Sequence, residues 1–210
     1  MFWMEIMMSS KTMLPVLGGI LLAAVLIGYR LTSRTAYENA AYELELVEGD
    51  FEIRRYPELT LASTPMQGSR VGEDGSFMRL FGYISGENAR QQKIAMTVPV
   101  FMQSDSEEAG SMQFVVPTEV AENGAPEPSA DNVSLATRPA GRYAVVRFAG
   151  DLNDSTYSVQ HERLETWMES LNLSAVTGSF SSAGYDPPWT PGFLRRNEVL
   201  VRIENSETNP

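Results

Sequence analysis

Residues 42–56 read YELELVEGDFEIRRY, and apolar and polar side chains alternate on both sides of the central EGD triplet. Alternation with a period of two is typical of half-buried β-strands, and the triplet is typical of a hairpin turn. The stretch therefore predicts two antiparallel strands, at residues 42–47 and 51–56. A third strand is predicted at residues 59–63, so the domain opens with antiparallel sheet.

An amphipathic helix is predicted to follow from about Gly75. Its large apolar side chains recur at the spacing of one helix face, at Phe77, Leu80, Phe81 and Ile84. Asp74 or Ser76 is available to cap the first turn, and Gly86 is a suitable residue to end the helix.

The order of strands, helix and strands then occurs a second time. Strands at residues 93–103 and 112–116 end the first round, and the acidic, proline-rich residues 119–132 are predicted to be an exposed linker. The second round has four strands and one helix, predicted at residues 133–137, 143–148, 157–171 (helix), 179–184 and 198–203. This order indicates an internal duplication, and it predicts an α+β domain whose curved antiparallel sheet carries two helices.

The composition excludes several classes of function. The 210 residues carry a formal net charge of −11, with no cysteine and one histidine. An acidic protein without clusters of basic residues lacks the positive surface that binds nucleic-acid phosphates, so no nucleic-acid partner is expected. Thiolate chemistry, cysteine zinc sites and multi-histidine metal cages are excluded as well. The acidic residues are dispersed, and Glu43, Glu45 and Glu52 are predicted to form a solvated strand face, so no catalytic constellation stands out.

The N-terminus has a different composition. Residues 13–29 are uncharged and lie between Lys11 and Arg30. As a helix at about 1.5 Å per residue they span about 26 Å, near the lower limit for a bilayer core. No small-x-small cleavage site directly follows, which favours a retained membrane anchor over a cleaved signal peptide.

The predicted organisation is an anchor at residues 1–34, a linker at 35–41, a globular domain at 42–205 and a tail at 206–210. The flanking basic residues nearly balance, so they do not orient the anchor. A single-pass membrane protein with its domain on the non-cytoplasmic side is expected, because an N-terminal signal-anchor commonly exports the domain behind it.

Two sequence blocks resemble the SOUL heme-binding protein family. They are KIAMTVPV at residues 93–100, and YDPPWTP at 185–191 with RRNEV at 195–199. The resemblance extends over about residues 42–204. It implies a twisted antiparallel β-barrel of two pseudo-symmetric halves flanked by two α-helices. It also implies that heme or a related tetrapyrrole binds in an apolar groove along the first helix.

A porphyrin is a flat apolar disc with two carboxylates, so its site needs large apolar side chains and cations at the rim. The apolar candidates on the first helix are Phe77, Met78, Phe81 and Ile84, although a helix stripe of this kind is also typical of core packing. Met78 lies on the flank of the stripe, where it is expected to face a groove. The candidate cations are Arg79, Lys93 and Arg195.

Some candidates have two interpretations. Arg195 and Arg196 are expected either to bind a propionate or to form structural ion pairs with Glu198 or Asp186. Trp189 is expected either to cap the groove or to close the end of the barrel. Heme-binding relatives tend to have basic residues where this chain has Gly82 and Thr190, and this difference weakens the case for propionate pairing.

His161 is the single imidazole that could ligate a heme iron. It lies on the apolar stripe of the second helix, whereas the family groove lies on the first. Coordination by Tyr83 or Met78, or no protein ligand at all, is an equal alternative.

The sequence thus favours a membrane-tethered carrier or buffer of heme or a related tetrapyrrole that performs no catalysis. Its expected partners are heme or porphyrin and, through the N-terminal helix, the membrane. A small-molecule hydrolase, a heme-modifying enzyme and an interaction module without a ligand are the alternatives.

Overall fold

The structure is a computed structural model, and it describes residues 37–66, 74–103, 110–187 and 190–204. The predicted membrane segment, residues 13–29, lies outside these ranges, as do Trp189 and the tail. Among the residues in these ranges, no helix has the length and apolar character needed to cross a membrane.

The strands are numbered β1 to β11 in chain order. Their bounds are Glu38–Asn39, Glu43–Glu48, Phe51–Tyr56, Leu59–Pro65, Thr97–Val98, Val100–Gln103, Ser111–Val115, Ser134–Arg138, Gly141–Ala149, Ser181–Gly184 and Arg196–Arg202. Nine of them form one antiparallel sheet in the order β2-β3-β9-β11-β10-β6-β7-β4-β8. The sheet curls into a half-barrel whose edge strands are β2 and β8, which confirms the predicted α+β class.

Three α-helices accompany the sheet in the part of the chain that the structure describes. They are α1 at Ser76–Ser85, α2 at Thr118–Glu122 and α3 at Asp154–Ser170, and a 3-10 turn occupies Gly192–Leu194. The helix α2 overlaps the start of the predicted linker, residues 119–132, and this segment is not a free linker. Val120 packs against the core under α1, and the backbone of Ala89 donates a hydrogen bond to the carbonyl of Glu127 at 2.8 Å.

Two further segments differ from the sequence prediction. The stretch predicted as linker, residues 35–41, contains β1, which pairs in parallel with β5 through Glu38 and Thr97. Residues 93–96 were predicted to begin a strand but are irregular. There the backbone of Ile94 donates to the carbonyl of Ile84, at 2.8 Å, and so ties the segment to α1 instead of to the sheet.

The two halves of the chain are related by the sheet order. Each half has the sequence strand, strand, helix, strand, strand: β3, β4, α1, β6 and β7 in the first, and β8, β9, α3, β10 and β11 in the second. Without β2, the sheet runs from β3 to β8. When each strand is replaced by its counterpart in the other half, the order read from β8 becomes the order read from β3. The first strand of each half pairs with the second strand of the other, since β3 pairs with β9 and β8 with β4. The strand β2 has no counterpart.

The helices cover one face of the sheet. The helix α1 contacts β4 and β7, and α3 contacts β9 and β11. Successive residues of β9 separate the two faces, because Ala144 and Val146 join the cluster under α3 while Val145 joins a cluster on the opposite face. That opposite face is called the concave face below.

The concave face holds a buried ionic network. The Arg54 side chain is 2% exposed, and its guanidinium binds both carboxylate oxygens of Glu198, at 2.8 and 2.9 Å. Its Nε donates to Glu52 at 2.6 Å, and Nη1 donates to the Tyr56 hydroxyl at 3.1 Å. The Tyr185 hydroxyl donates to Glu198 at 2.8 Å. These five residues are called the Arg54 network.

The network corrects the prediction for Glu52, which is 4% exposed and not solvated. In β3, residues 52, 54 and 56 share the concave face, while Phe51 and Ile53 pack beneath α3. Burial opposes the charge of Arg54, but the hydrogen bonds and charge of Glu198 outweigh it and raise the pKa of the guanidinium. Burial also raises the pKa of Tyr56 to about 12 and that of Tyr185 well above its ordinary value.

Candidate functional site

The helix α1 ends at Gly86 as its sequence predicts, but its N-cap residue is Gly75 and not Asp74 or Ser76. The Asp74 carboxylate accepts a hydrogen bond from the backbone N–H of Ser76 at 3.0 Å, which satisfies one of the free donors of the first turn. Gly86 ends the helix with φ at +121°, a conformation that favours glycine.

The buried face of α1 differs from the predicted stripe. Its buried residues are Ser76, Leu80, Tyr83 and Ile84. Ile84 was predicted to line a ligand groove, but it lies in the core at 7% exposure. The helix is turned so that Tyr83 packs inward and Phe81 outward. The Tyr83 hydroxyl donates to the carbonyl of Pro126 at 2.9 Å, and burial raises its pKa.

The outward face of α1 presents an apolar surface. Met78 is 63% exposed and Phe81 is 44% exposed, while Phe77 is half-buried. The rings of Phe77 and Phe81 lie 6.2 Å apart and are nearly parallel, at 14°. Phe77 also contacts Phe114 of β7 edge-on, which fixes the stack against the sheet. The surface formed by Phe77, Met78 and Phe81 is called the α1 surface below.

Arg79 has partners within the protein. Its Nε donates to the Thr64 hydroxyl at 3.0 Å, and Nη1 and Nη2 donate to the carbonyls of Asp74 and Pro65. The guanidinium also lies 3.7 Å from the Asp74 carboxylate. These bonds join β4 to the start of α1, so the role that the structure gives Arg79 is to position the helix.

The other two predicted cations differ from each other. Arg195 forms a structural ion pair at 3.0 Å, but with Asp151 and not with Glu198 or Asp186, and it donates to the carbonyl of Thr190. Arg196 likewise pairs with Asp186, one of its two predicted partners, at 3.0 Å. Lys93, by contrast, is exposed and makes no ion pair with any residue that the structure describes.

His161 lies on a different part of the sheet from the α1 surface. Its Nδ1 is 3.3 Å from the Glu165 carboxylate, and its ring lies 4.0 Å from Phe180 beside the core under α3. The structure therefore does not bring His161 together with the residues of α1. No group of three or more metal-binding side chains occurs in the described ranges.

Two features of the site were not found by sequence reasoning. The Glu87 carboxylate folds over Gly82, where an added Cβ would lie 2.6 Å from Oε2. This places a negative charge at the C-terminal end of α1. In addition, the 3-10 turn exposes Phe193 by 76% and Leu194 by 55%. The cluster of apolar residues beside Trp189 in the sequence was the signal for this exposure.

The turn with these apolar residues is linked to the core under α1. Arg195 directly follows Leu194 and pairs with Asp151. Leu152, which follows Asp151 in the chain, packs against the core cluster that contains Leu80 and Ile84. Trp189, the remaining candidate, lies outside the described residues.

The fold and this surface define an α+β half-barrel of two repeated halves, with an exposed apolar face on the first helix. Residues 37–202 match the SOUL heme-binding protein family, and the chain belongs to that family.

Curated relatives agree with this assignment, and a solved structure shares the fold. The chain is 29% identical to heme-binding protein 1 of Mus musculus over 179 residues, which cover 82% of this chain and 90% of the mouse protein. It is 28% identical to heme-binding protein 1 of Sus scrofa over 129 residues, or 59% of this chain and 67% of the pig protein. The crystal structure of the EcmrR C-terminal domain has a TM-score of 0.52 at 16% identity, with 78% of this chain and 98% of that chain covered. At this identity the structural likeness shows the fold alone.

Proposed function

We propose that this protein binds heme or a related tetrapyrrole on the α1 surface and holds or hands on the ligand without performing chemistry on it. The observation that carries the proposal is the exposure of Met78 and Phe81 on the helix where the family resemblance implies the groove. The relatives named as heme-binding proteins support the same ligand class.

The shape of the α1 surface fits a flat apolar ligand. The nearly parallel rings of Phe77 and Phe81 and the side chain of Met78 form an exposed apolar surface about as long as two aromatic rings. Covering exposed apolar surface contributes roughly 25 cal/mol per Å², so a porphyrin face laid on these side chains gains affinity without any metal ligand.

The charges around α1 indicate how the propionates would be oriented. Lys93 is the predicted cation that the described residues leave without a counter-ion, whereas Arg79 and Arg195 are held by other partners. Glu87 lies at the C-terminal end of α1 and would repel a carboxylate. We therefore propose Lys93, which precedes Ile94 at the same end of α1, as a propionate partner whose attraction the charge of Glu87 partly offsets.

Glu87→Lys is expected to raise heme affinity about two- to fivefold, because an exposed charge contributes up to about 1 kcal/mol. The gain should shrink as salt is added. Heme titrations at low and high salt measure both effects. Glu43→Lys makes the same charge change on the edge strand β2 and should leave the affinity unchanged; equal gains in both variants would show that net charge alone is responsible.

A heme titration of the full chain, followed by the Soret band, tests the proposed function. We expect saturation at one heme per chain. His161→Ala should change the affinity by less than about tenfold, or ~1.4 kcal/mol, because His161 is remote from α1 and ligation is not the main source of affinity. Lack of saturable binding would refute the function, and loss of binding in a folded His161→Ala variant would refute the assigned site.

The proposal that the protein is not an enzyme is supported by the state of its buried carboxylates. Glu52 and Glu198 are the buried acids of the concave face, and both bind Arg54. Carboxylate oxygens that bind a buried guanidinium are not free to contact a substrate.

We also propose that residues 13–29 tether the protein to a membrane, with the domain on the non-cytoplasmic side. The support is the uncharged sequence of this segment. Fractionation of cells that express the full chain or residues 35–210 is expected to find the first in membranes and the second in the soluble fraction. If residues 35–210 also sediment with membranes, the tether is assigned to the wrong segment.

A further inference from the structure

A groove of about 510 Å³ lies between α3 and the β2–β3 hairpin. Phe51 of β3 and six residues of α3 line it. Because its helix wall belongs to α3, the groove is separate from the α1 surface.

The floor of the groove is aromatic. The Phe51 ring stacks on Trp167 with a centroid distance of 5.0 Å and an interplanar angle of 14°. Trp167 is 7% exposed and its Nε1 donates to Glu48 at 3.1 Å, which fixes the indole in place. Val159, 52% exposed, forms the apolar part of the helix wall. A flat ring can lie on this floor and against this wall.

The polar groups of the groove leave one donor for a ligand. The hydroxyl groups of Thr166 and Ser170 donate to backbone carbonyls of α3, at 2.9 and 2.6 Å. The Arg163 guanidinium lies over the Phe51 ring, 5.4 Å from its centre, and its Nη1 donates to the Gln160 side chain at 2.6 Å. Its ion pair with Asp50, through Nη2, is long, at 3.5 Å, and exposed. Exchanging this weak pair for a ligand carboxylate costs little, because exposed ion pairs contribute at most about 1 kcal/mol.

We infer that this groove is a second binding site, for a flat aromatic ring system that carries a single carboxylate. The ring displaces the Arg163 guanidinium from above Phe51 and stacks there against Val159, and the carboxylate binds the displaced guanidinium. The exposed carboxylate of Glu162 lines the same groove, so a ligand with two acidic groups, such as a porphyrin, is disfavoured. The site does not depend on tetrapyrrole binding at α1.

The test uses the full chain in phosphatidylcholine nanodiscs, with Trp3→Phe and Trp189→Phe so that Trp167 is the one tryptophan. The probes are 1-pyrenebutyrate and the uncharged 1-pyrenebutanol, and the signal is energy transfer from Trp167 after subtraction of empty nanodiscs. We expect saturable transfer to pyrenebutyrate. Arg163→Gln should weaken pyrenebutyrate about two- to fivefold without affecting pyrenebutanol, and Val159→Glu should weaken both.

Met78→Glu, on α1, should change neither probe, which separates this site from the proposed heme site. Thr166→Glu, on the same wall of the groove, replaces Val159→Glu if that variant alters the melting temperature. Absence of saturable transfer, or equal affinity for the two probes, would overturn the inference. So would pyrenebutyrate binding that Arg163→Gln leaves unchanged.

Discussion

Arg54→Met is expected to lower the free energy of unfolding by about 3–5 kcal/mol, which is a large part of the stability of a domain of this size. Methionine fills a similar volume but leaves Glu198 without its two guanidinium bonds and Glu52 without one. A buried carboxylate that loses its partner is strongly destabilising, because its charge cannot return to water while the fold is intact. Urea denaturation measures the change.

The neighbouring residue gives a matched control for this variant. Arg55 is on the same strand but faces outward, with a side chain 51% exposed and an ion pair to Glu45. Arg55→Met should therefore cost less than about 1 kcal/mol. Adding Glu198→Gln to Arg54→Met should restore much of the lost stability, since it removes the unpaired charge. Equal urea midpoints for the Arg54 and Arg55 variants would contradict the role assigned to the network.

Met78→Glu is expected to weaken heme binding at least about a hundredfold, or ~2.7 kcal/mol, while the fold is retained. The substitution places a carboxylate under the apolar ligand, and burying that charge is costly. Because Met78 is 63% exposed, the same change should alter the free energy of unfolding by no more than about 0.5 kcal/mol. A Soret titration together with urea denaturation separates the two effects.

Two further variants complete this experiment. Met78→Leu keeps the surface apolar and should bind heme within a fewfold of the wild type. Val47→Glu makes a similar change on β2, where Val47 is 51% exposed, and should not affect heme binding. Should Met78→Glu bind heme as the wild type does, the ligand lies elsewhere on the protein.

Local sequence patterns predicted much of the secondary structure. The alternation around the EGD triplet gave the β2–β3 hairpin, and helical spacing with a terminal glycine gave α1. The predicted duplication is confirmed by the order of strands in the sheet. Residues close together in the chain determine these features, so they can be predicted without knowing which distant residues come into contact.

Features that depend on distant residues were not predicted. Glu52 has the spacing of a solvated strand residue, and its burial follows from the pairing of Arg54 with Glu198, which is 144 residues further along the chain. Periodicity shows that the side chains of β3 alternate between two faces, but it does not show whether a face is exposed. In the structure both faces of this strand are covered.

The candidate site was predicted only in outline. Helical spacing could not distinguish Tyr83 from Phe81 as the inward aromatic residue, since both lie near the edge of the apolar stripe. Likewise, no local signal distinguished Lys93, which lacks a counter-ion among the described residues, from Arg79, whose acceptors lie in β4 and the loop before α1.

The exchange of first strands between the halves has a consequence for how the chain holds together. Neither half contains all the strands of its own side of the sheet, because β3 completes the second half and β8 completes the first. In topology the two halves resemble the subunits of a strand-exchanged dimer, and residues 116–133 join them in one chain. The covalent link gives each half a high effective concentration of the other, so the sheet assembles in a unimolecular step that dilution does not reverse.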